Sequence, residues 1–158
     1  MAKLRIGIIG CGGIANGKHM PALRSQADRV EMLNDLKQSG HYDDALIIIT
    51  SDHGENMGEL GLYAEHGTAD EPTCHIPMII KWKGGASGVV DKAFHDNTDL
   101  CPTVTELLGV SVDPHYRYDG KSYAATVLTG AEQGRDHVIL SQCAHVCQRS
   151  ARFGDWLY

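Results

Sequence analysis

The stretch Ala45-Leu46-Ile47-Ile48-Ile49-Thr50-Ser51-Asp52-His53-Gly54 decides the fold class. It opens with an apolar run rich in β-branched side chains, which is typical of a buried strand in a parallel sheet. Acidic, imidazole and glycine residues then mark the strand end, and a polar, Gly-rich loop continues to Thr73. α/β folds place their chemistry in such loops. We therefore expect an α/β fold with a functional site at this strand end.

Short strands and helices are predicted on both sides of this strand. Residues 76–82 form an apolar run that predicts a second strand. A helix capped by Asn97 or Thr98 is expected to run to Leu108, because Gly109 follows as a stop signal. The other predicted elements are a strand over 4–9, a helix beginning at Ile14 or Pro21, a helix from Asp28 to Gly40, a short helix within 120–130, strands over 138–142 and 146–153, and a turn at Gly154-Asp155.

Composition places the chain among globular proteins. Its 158 residues suffice for one domain, with 42% apolar and 22% charged residues. The net charge of −6 argues against a nucleic-acid partner. No apolar run approaches the roughly 20 residues of a membrane-spanning helix, so no membrane partner is expected. The apolar residues 6–9 after Lys3 and Arg5 are shorter than the roughly 7–15 residues of a signal-peptide core, so we expect a cytoplasmic protein.

The five cysteines form no Cys-x-x-Cys pair and so predict neither a disulfide framework nor a zinc site. Cys143 and Cys147 are four residues apart. If both lay on one strand they would share a face, and we expect them to be small core residues.

The N-terminal segment carries a glycine motif, Gly10-x-Gly12-x-x-Ala15, after a predicted strand. Glycines in this pattern let backbone N–H groups and a helix N-terminus approach a pyrophosphate. Residues 4–32 resemble the opening of the Gfo/Idh/MocA family of NAD(P)-dependent oxidoreductases, which implies Gly10, Gly12 and Ala15 as cofactor-binding residues. Asp35 has nearly the spacing of the family's ribose-binding acid but continues a helical pattern. We therefore keep NAD(P) binding as an alternative and expect only a turn that joins a strand to a helix.

From Leu33 onward the sequence contains, in order, the motifs LKQSGHYDD (36–44), TSDHGENMGE (50–59), YAEHG (63–67), IPMIIKW (76–82), DLCPTVTELLG (99–109), DGKS (119–122) and RFGDW (152–156). Together these motifs resemble the sulfatases of the alkaline-phosphatase superfamily. This resemblance implies a three-layer α/β sandwich with a mainly parallel sheet, a partial alkaline-phosphatase-like core, and a small antiparallel strand region at the C-terminus. We expect residues 1–32 and 33–158 to fold together as one domain.

The same resemblance implies the site residues and the function. Asp52 and His53 match family ligands of a divalent cation, usually calcium, and His66 matches an active-site position that contacts the sulfate or the leaving-group oxygen. Glu65 stands where many members have lysine. The implied activity is metal-dependent hydrolysis of a small sulfate ester or a sulfated sugar. Two further acidic residues are interpreted as solvated loop residues, Glu55 and Glu59.

A family sulfatase also carries paired aspartates after its first strand and a Cys-x-Pro-x-Arg or Ser-x-Pro-x-Arg motif, whose first residue becomes the formylglycine nucleophile. This sequence contains neither. Because catalytic groups act as a unit, we expect the chain alone to be inactive or impaired. A third reading, a non-catalytic product of a fused or truncated gene, stays open, and no oligomeric state is predicted.

Overall fold

The computed structural model describes residues 32–143 and 147–158. Four helices and seven strands are found there, with single 3-10 turns at Glu59–Gly61 and Asn97–Asp99. The helices are α1 (Met32–Gln38), α2 (Glu71–Cys74), α3 (Leu100–Leu107) and α4 (Ala124–Thr129). The strands are β1 (Ile47–Thr50), β2 (Asn56–Met57), β3 (Tyr63–Glu65), β4 (Met78–Lys81), β5 (His137–Gln142), β6 (Gln148–Phe153) and β7 (Trp156–Leu157).

The strand that decides the fold class is confirmed as β1, and its neighbour is the second predicted apolar strand, β4. The two strands pair antiparallel, from Ile47 opposite Lys81 to Thr50 opposite Met78. The pairs β2–β3, β5–β6 and β6–β7 are also antiparallel. The predicted three-layer sandwich with a mainly parallel sheet is therefore not confirmed for the described residues. An apolar run indicates covered faces but does not specify the direction of the neighbouring strand, and β1 itself is only half-buried.

The helix predicted from Asn97 or Thr98 is present, but its start is different. Asp96 is the N-cap: its carboxylate accepts from the Thr98 N–H at 2.9 Å, while the Asp96 N–H donates to Asp99 at 2.8 Å. This reciprocal capping box begins a 3-10 turn, and α3 continues from Leu100. The Asn97 side chain instead donates to the backbone carbonyl of Asp52 at 3.1 Å, so the capped turn contacts the end of β1.

Asp99 ties this turn to the rest of the chain. It is fully buried, and its carboxylate accepts hydrogen bonds from both terminal guanidinium nitrogens of Arg135 and from the Lys121 N–H at 2.6 Å. Burial opposes ionisation of Asp99, but the hydrogen bond from Arg135 and the backbone N–H groups outweigh it and hold its pKa below the ordinary value. Gly120 allows the close approach, because a Cβ there would lie 2.1 Å from the Thr98 carbonyl oxygen.

The predicted antiparallel region at the C-terminus is confirmed as the sheet β5–β6–β7. Two of its strands support the loop that follows β3. Gln142 at the end of β5 donates to the carbonyl oxygen of His66 at 2.8 Å, and Gln148 at the start of β6 accepts from the Ala69 N–H at 2.9 Å. Ser150 donates to the Ala69 carbonyl oxygen at 2.5 Å. Residues 66–69 are thus held by the sheet through polar contacts.

Few apolar side chains are fully covered. The buried ones among the described residues are Ala69, Pro102, Tyr123, Ala124 and Val138, whereas Ile79 of β4 is 60% exposed. Polar groups therefore hold much of the described structure together. Among the helices of the described residues, none has the length and apolar character of a membrane span.

Candidate functional site

The end of β1 presents Asp52 to solvent. Its side chain is 87% exposed, and one carboxylate oxygen accepts from the backbone N–H of His53 at 2.9 Å. Asp and Asn side chains commonly accept from nearby backbone N–H groups in this way at turns. The other oxygen lies 3.7 Å from His53 Nε2. Asp52 is therefore held by the turn while its carboxylate remains open to a ligand.

Gly54 sets the direction of the chain after this turn. Its N–H donates to the Thr73 carbonyl oxygen at 2.7 Å, and a Cβ at this position would lie 1.9 Å from the Pro72 carbonyl oxygen. No larger residue fits against α2 without moving that backbone. The following side chain, Glu55, lies inside the molecule as a result.

Glu55 is the residue that the sequence interpretation missed. Its side chain is 3% exposed, so its assignment as a solvated loop acid is wrong, whereas Glu59 is exposed as expected. One carboxylate oxygen lies 2.8 Å from His66 Nδ1 and 3.9 Å from His53 Nδ1. The other is buried with no hydrogen-bond partner among the described residues. The only sequence signal for this burial is its place directly after the close-packed glycine.

In both His53 and His66, the ring nitrogen Nδ1 faces an oxygen acceptor. His53 Nδ1 lies 2.9 Å from the Gly54 carbonyl oxygen, which can only accept, so this nitrogen is assigned the proton. His66 Nδ1 faces the Glu55 carboxylate in the same way. The rings stack with centroids 4.0 Å apart and an interplanar angle of 21°. In the neutral rings each Nε2 is then the acceptor, which is the arrangement that suits metal or substrate contact.

A buried polar network lies behind these residues and positions them. Asn56 is fully buried, and its amide nitrogen lies 3.0 to 3.2 Å from the oxygens of Thr68, Thr73 and Asp70. Asp70 also caps α2 through the Thr73 N–H at 3.0 Å. Burial disfavours the charged form of Asp70, yet hydrogen bonds from Thr68 and Thr73 lower its pKa overall. The network joins the segments carrying Glu55 and His66.

These side chains fit a divalent cation. One donor atom from each of His53, Glu55 and His66 can be chosen so that all three lie within 4.8 Å of one another. Donor atoms on a tetrahedral zinc ion lie about 3.3 to 3.6 Å apart, so these side chains must adjust to bind one. Two imidazole nitrogens suit zinc or a similar transition metal, whereas calcium takes 6–8 oxygens. The donor set therefore fits a divalent cation but does not single out calcium.

The structure brings three of the predicted site residues together, since Asp52, His53 and His66 lie at one end of β1. Gly10, Gly12 and Ala15 lie outside the described residues, as do the predicted strand over 4–9 and residues 1–31 of the predicted first segment. The NAD(P)-binding alternative therefore stays a prediction, as does the folding of both segments as one domain.

Comparison with known proteins identifies the class. A family model described as Sulfatase matches residues 30–110, about half of the chain, and the chain therefore belongs to the sulfatase family. It is 31% identical over 121 residues to the extracellular sulfatase SULF-1 homolog of Drosophila melanogaster, a match that covers 76% of this chain and 11% of the relative.

A second relative is the multifunctional alkaline phosphatase superfamily protein PehA of Trinickia caryophylli, 40% identical over 76 residues, with 47% of this chain and 15% of the relative covered. The fold resembles the solved structure of BT4656 in complex with its substrate D-glucosamine-2-N,6-O-disulfate. That match has a TM-score of 0.70 and 23% identity, and it covers 85% of this chain and 28% of that one. The chain thus spans under a third of the length of each of these proteins.

Proposed function

We propose that this chain supplies the cation-binding and leaving-group side of a metal-dependent sulfuric-ester hydrolase. The observation that carries the proposal is the stacking of His53 on His66. His53 directly follows Asp52, and the Nδ1 atom of His66 is held by the buried Glu55. A sulfated sugar is the proposed substrate class. The complex of BT4656 with a glucosamine disulfate supports this choice.

Each side chain has a distinct role in this proposal. Asp52 and His53 hold the cation, which when bound neutralises charge on the ester sulfate. His66 presents Nε2 to the sulfate or to the leaving-group oxygen, where it can exchange a proton. Glu55 acts through His66, because its carboxylate fixes the ring orientation and keeps the proton on Nδ1.

The identity of the cation is part of the proposal. The family resemblance favours calcium, whereas the imidazole nitrogen of His53 favours a transition metal such as zinc. Of the two proposed ligands, only Asp52 offers carboxylate oxygens, and these are far fewer than calcium prefers. We therefore expect zinc to bind more tightly than calcium.

Calorimetric titration of the full chain with calcium, manganese and zinc tests cation binding. We expect Asp52→Ala and His53→Ala each to weaken binding by at least about tenfold, since each removes a ligand. His75→Ala is the matched control, because His75 Nδ1 also lies 2.8 Å from a carboxylate, that of Glu71, but the His75 side chain is 76% exposed at the end of α2. Equal affinity in all four proteins would contradict the proposed site.

Hydrolysis of an aryl sulfate tests the catalytic part separately. The sequence has no formylglycine motif, so we expect turnover at background level even with the preferred cation. Turnover above background that Asp52→Ala abolishes would show that the chain has a complete active centre, and the proposal of a partial one would be wrong. Binding without turnover is the expected combination.

A further inference from the structure

Two cysteines lie side by side at the end of the β5–β6 pair. Gln142 and Gln148 are the last paired residues of the two strands, and Cys143 and Cys147 are their outward neighbours. The two sulfur atoms are 3.1 Å apart and both residues are exposed, so their prediction as core residues is wrong. They belong to opposite strand ends and not to one strand. We propose that Cys143 and Cys147 form an intramolecular disulfide that controls how firmly this sheet holds the loop carrying His66.

The geometry suits a disulfide with little movement. A disulfide requires Cβ atoms about 3.5–4.5 Å apart and sulfur atoms about 2.05 Å apart. Directly opposed residues of antiparallel strands have Cβ atoms about 4.5–5.5 Å apart. Closing the bond therefore moves the sulfur atoms by about 1 Å, which rotation of the two side chains can supply.

The chemistry is thiol–disulfide exchange with a low-molecular-weight disulfide. One protein thiolate attacks a sulfur of the small disulfide, and one small thiol leaves. The second protein thiolate then attacks the mixed disulfide, the protein S–S bond forms and the second small thiol leaves. The protein is oxidised by the loss of both thiol hydrogens, and the small disulfide is reduced to two thiols. The hydrogen bond with Cys147 raises the pKa of Cys143, so exchange should be faster at alkaline pH.

Each cysteine is next in sequence to a glutamine that contacts residues 66–69, the loop that carries His66. The Gln142 side chain accepts from the Cys143 N–H at 2.8 Å and donates to the His66 carbonyl oxygen at 2.8 Å. On the other strand, Gln148 accepts from the Ala69 N–H at 2.9 Å. A covalent link at the strand ends restricts their fraying, so both contacts should open less often. This inference does not depend on the proposed hydrolase activity.

Equilibration of the full chain with reduced and oxidised glutathione tests the disulfide. We expect the intact mass to fall by the mass of one hydrogen pair, with a peptide map that links Cys143 to Cys147. Cys143→Ser and Cys147→Ser should abolish this species, and Cys101→Ser, which removes another exposed thiol, should not. A stable glutathione adduct on one cysteine, or a link to any other cysteine, would overturn the proposal.

Amide hydrogen exchange tests the coupling to the loop. The Ala69 amide should exchange at least about tenfold more slowly in the oxidised protein, since a short closed loop restricts opening of the strand ends. Cys143→Ser, which cannot form the link, should show no slowing under the same oxidant. A confirmed link with unchanged exchange at Ala69 would disprove control of the loop.

Discussion

Replacing Asp99 with asparagine should destabilise the chain by about 3 to 5 kcal/mol, the usual cost of breaking a buried ion pair. Asp99 is fully buried, accepts from both terminal nitrogens of Arg135, and receives the backbone N–H groups of Asp96 and Lys121 at 2.8 and 2.6 Å. Asparagine keeps one acceptor oxygen and turns an NH₂ group toward the remaining donors. At least two charge-assisted hydrogen bonds are lost, each worth about 1.5–3 kcal/mol.

The partial exposure of Arg135 places the expected destabilisation by Asp99→Asn at the lower end of this range, about 3 kcal/mol. Its side chain is 20% exposed, so the unpaired guanidinium regains part of its hydration when Asp99 is neutral. A loss of this size is a large fraction of the roughly 5–15 kcal/mol by which domains are stable. It corresponds to a fall in melting temperature of about 6–12 °C for a chain of this length.

The effect should depend on pH in one direction. The folded-state pKa of Asp99 is held below its unfolded value of about 3.9, so the ionised carboxylate stabilises the fold fully above that pH. This contribution is lost as the pH falls through the folded-state pKa. The difference between the native chain and Asp99→Asn should therefore be constant from about pH 5 to 8 and shrink below about pH 4.

Urea denaturation followed by tryptophan fluorescence measures this difference. Asp44→Asn is the control, because Asp44 pairs with Lys83 on the surface, where the side chains are 68% and 69% exposed. We expect no measurable shift of its midpoint, since exposed pairs contribute little. The reasoning is refuted if Asp99→Asn destabilises no more than Asp44→Asn, or if its effect does not shrink below about pH 4.

Three further predictions concern the residues around the site. Gly54→Ala should lower the free energy of unfolding by at least about 1–3 kcal/mol in a urea titration, because its Cβ would meet the Pro72 carbonyl oxygen, and an unchanged midpoint would contradict the close packing. Glu55→Gln should leave the secondary structure intact by circular dichroism but allow both tautomers of His66. ¹⁵N NMR of the imidazole would then report a mixture, and a ratio equal to that of the native chain would argue against positioning by Glu55. Asp70→Ala should cost at least about 1–2 kcal/mol at pH 7, because it removes the α2 cap and also an acceptor for the buried Asn56 amide. The cost should be smaller below about pH 4 because the pKa of Asp70 is lowered, and an effect equal at both pH values would count against a role for the ionised carboxylate.

Short-range patterns predicted most of the regular structure. The apolar runs located β1 and β4, and the turn residues Gly154-Asp155 correctly separated β6 from β7. The helix ending near Leu108 was also predicted, but its cap was placed at Asn97 or Thr98. Asp96 became the cap because Asp99 completes a reciprocal pair with it. Several polar residues in a row can cap a helix, and the reciprocal pair of Asp96 with Asp99 distinguishes the cap from its neighbours.

The sequence by itself determined the family and the position of Asp52, His53 and His66, because motif order and residue type are local properties of the chain. Only the tertiary structure decided that Glu55 is buried against His66, since Gly54 packs on α2 and directs the next side chain inward. It also decided that the described strands pair antiparallel. Strand direction and burial depend on residues distant along the chain, and these relations are not encoded in the spacing of neighbouring residues.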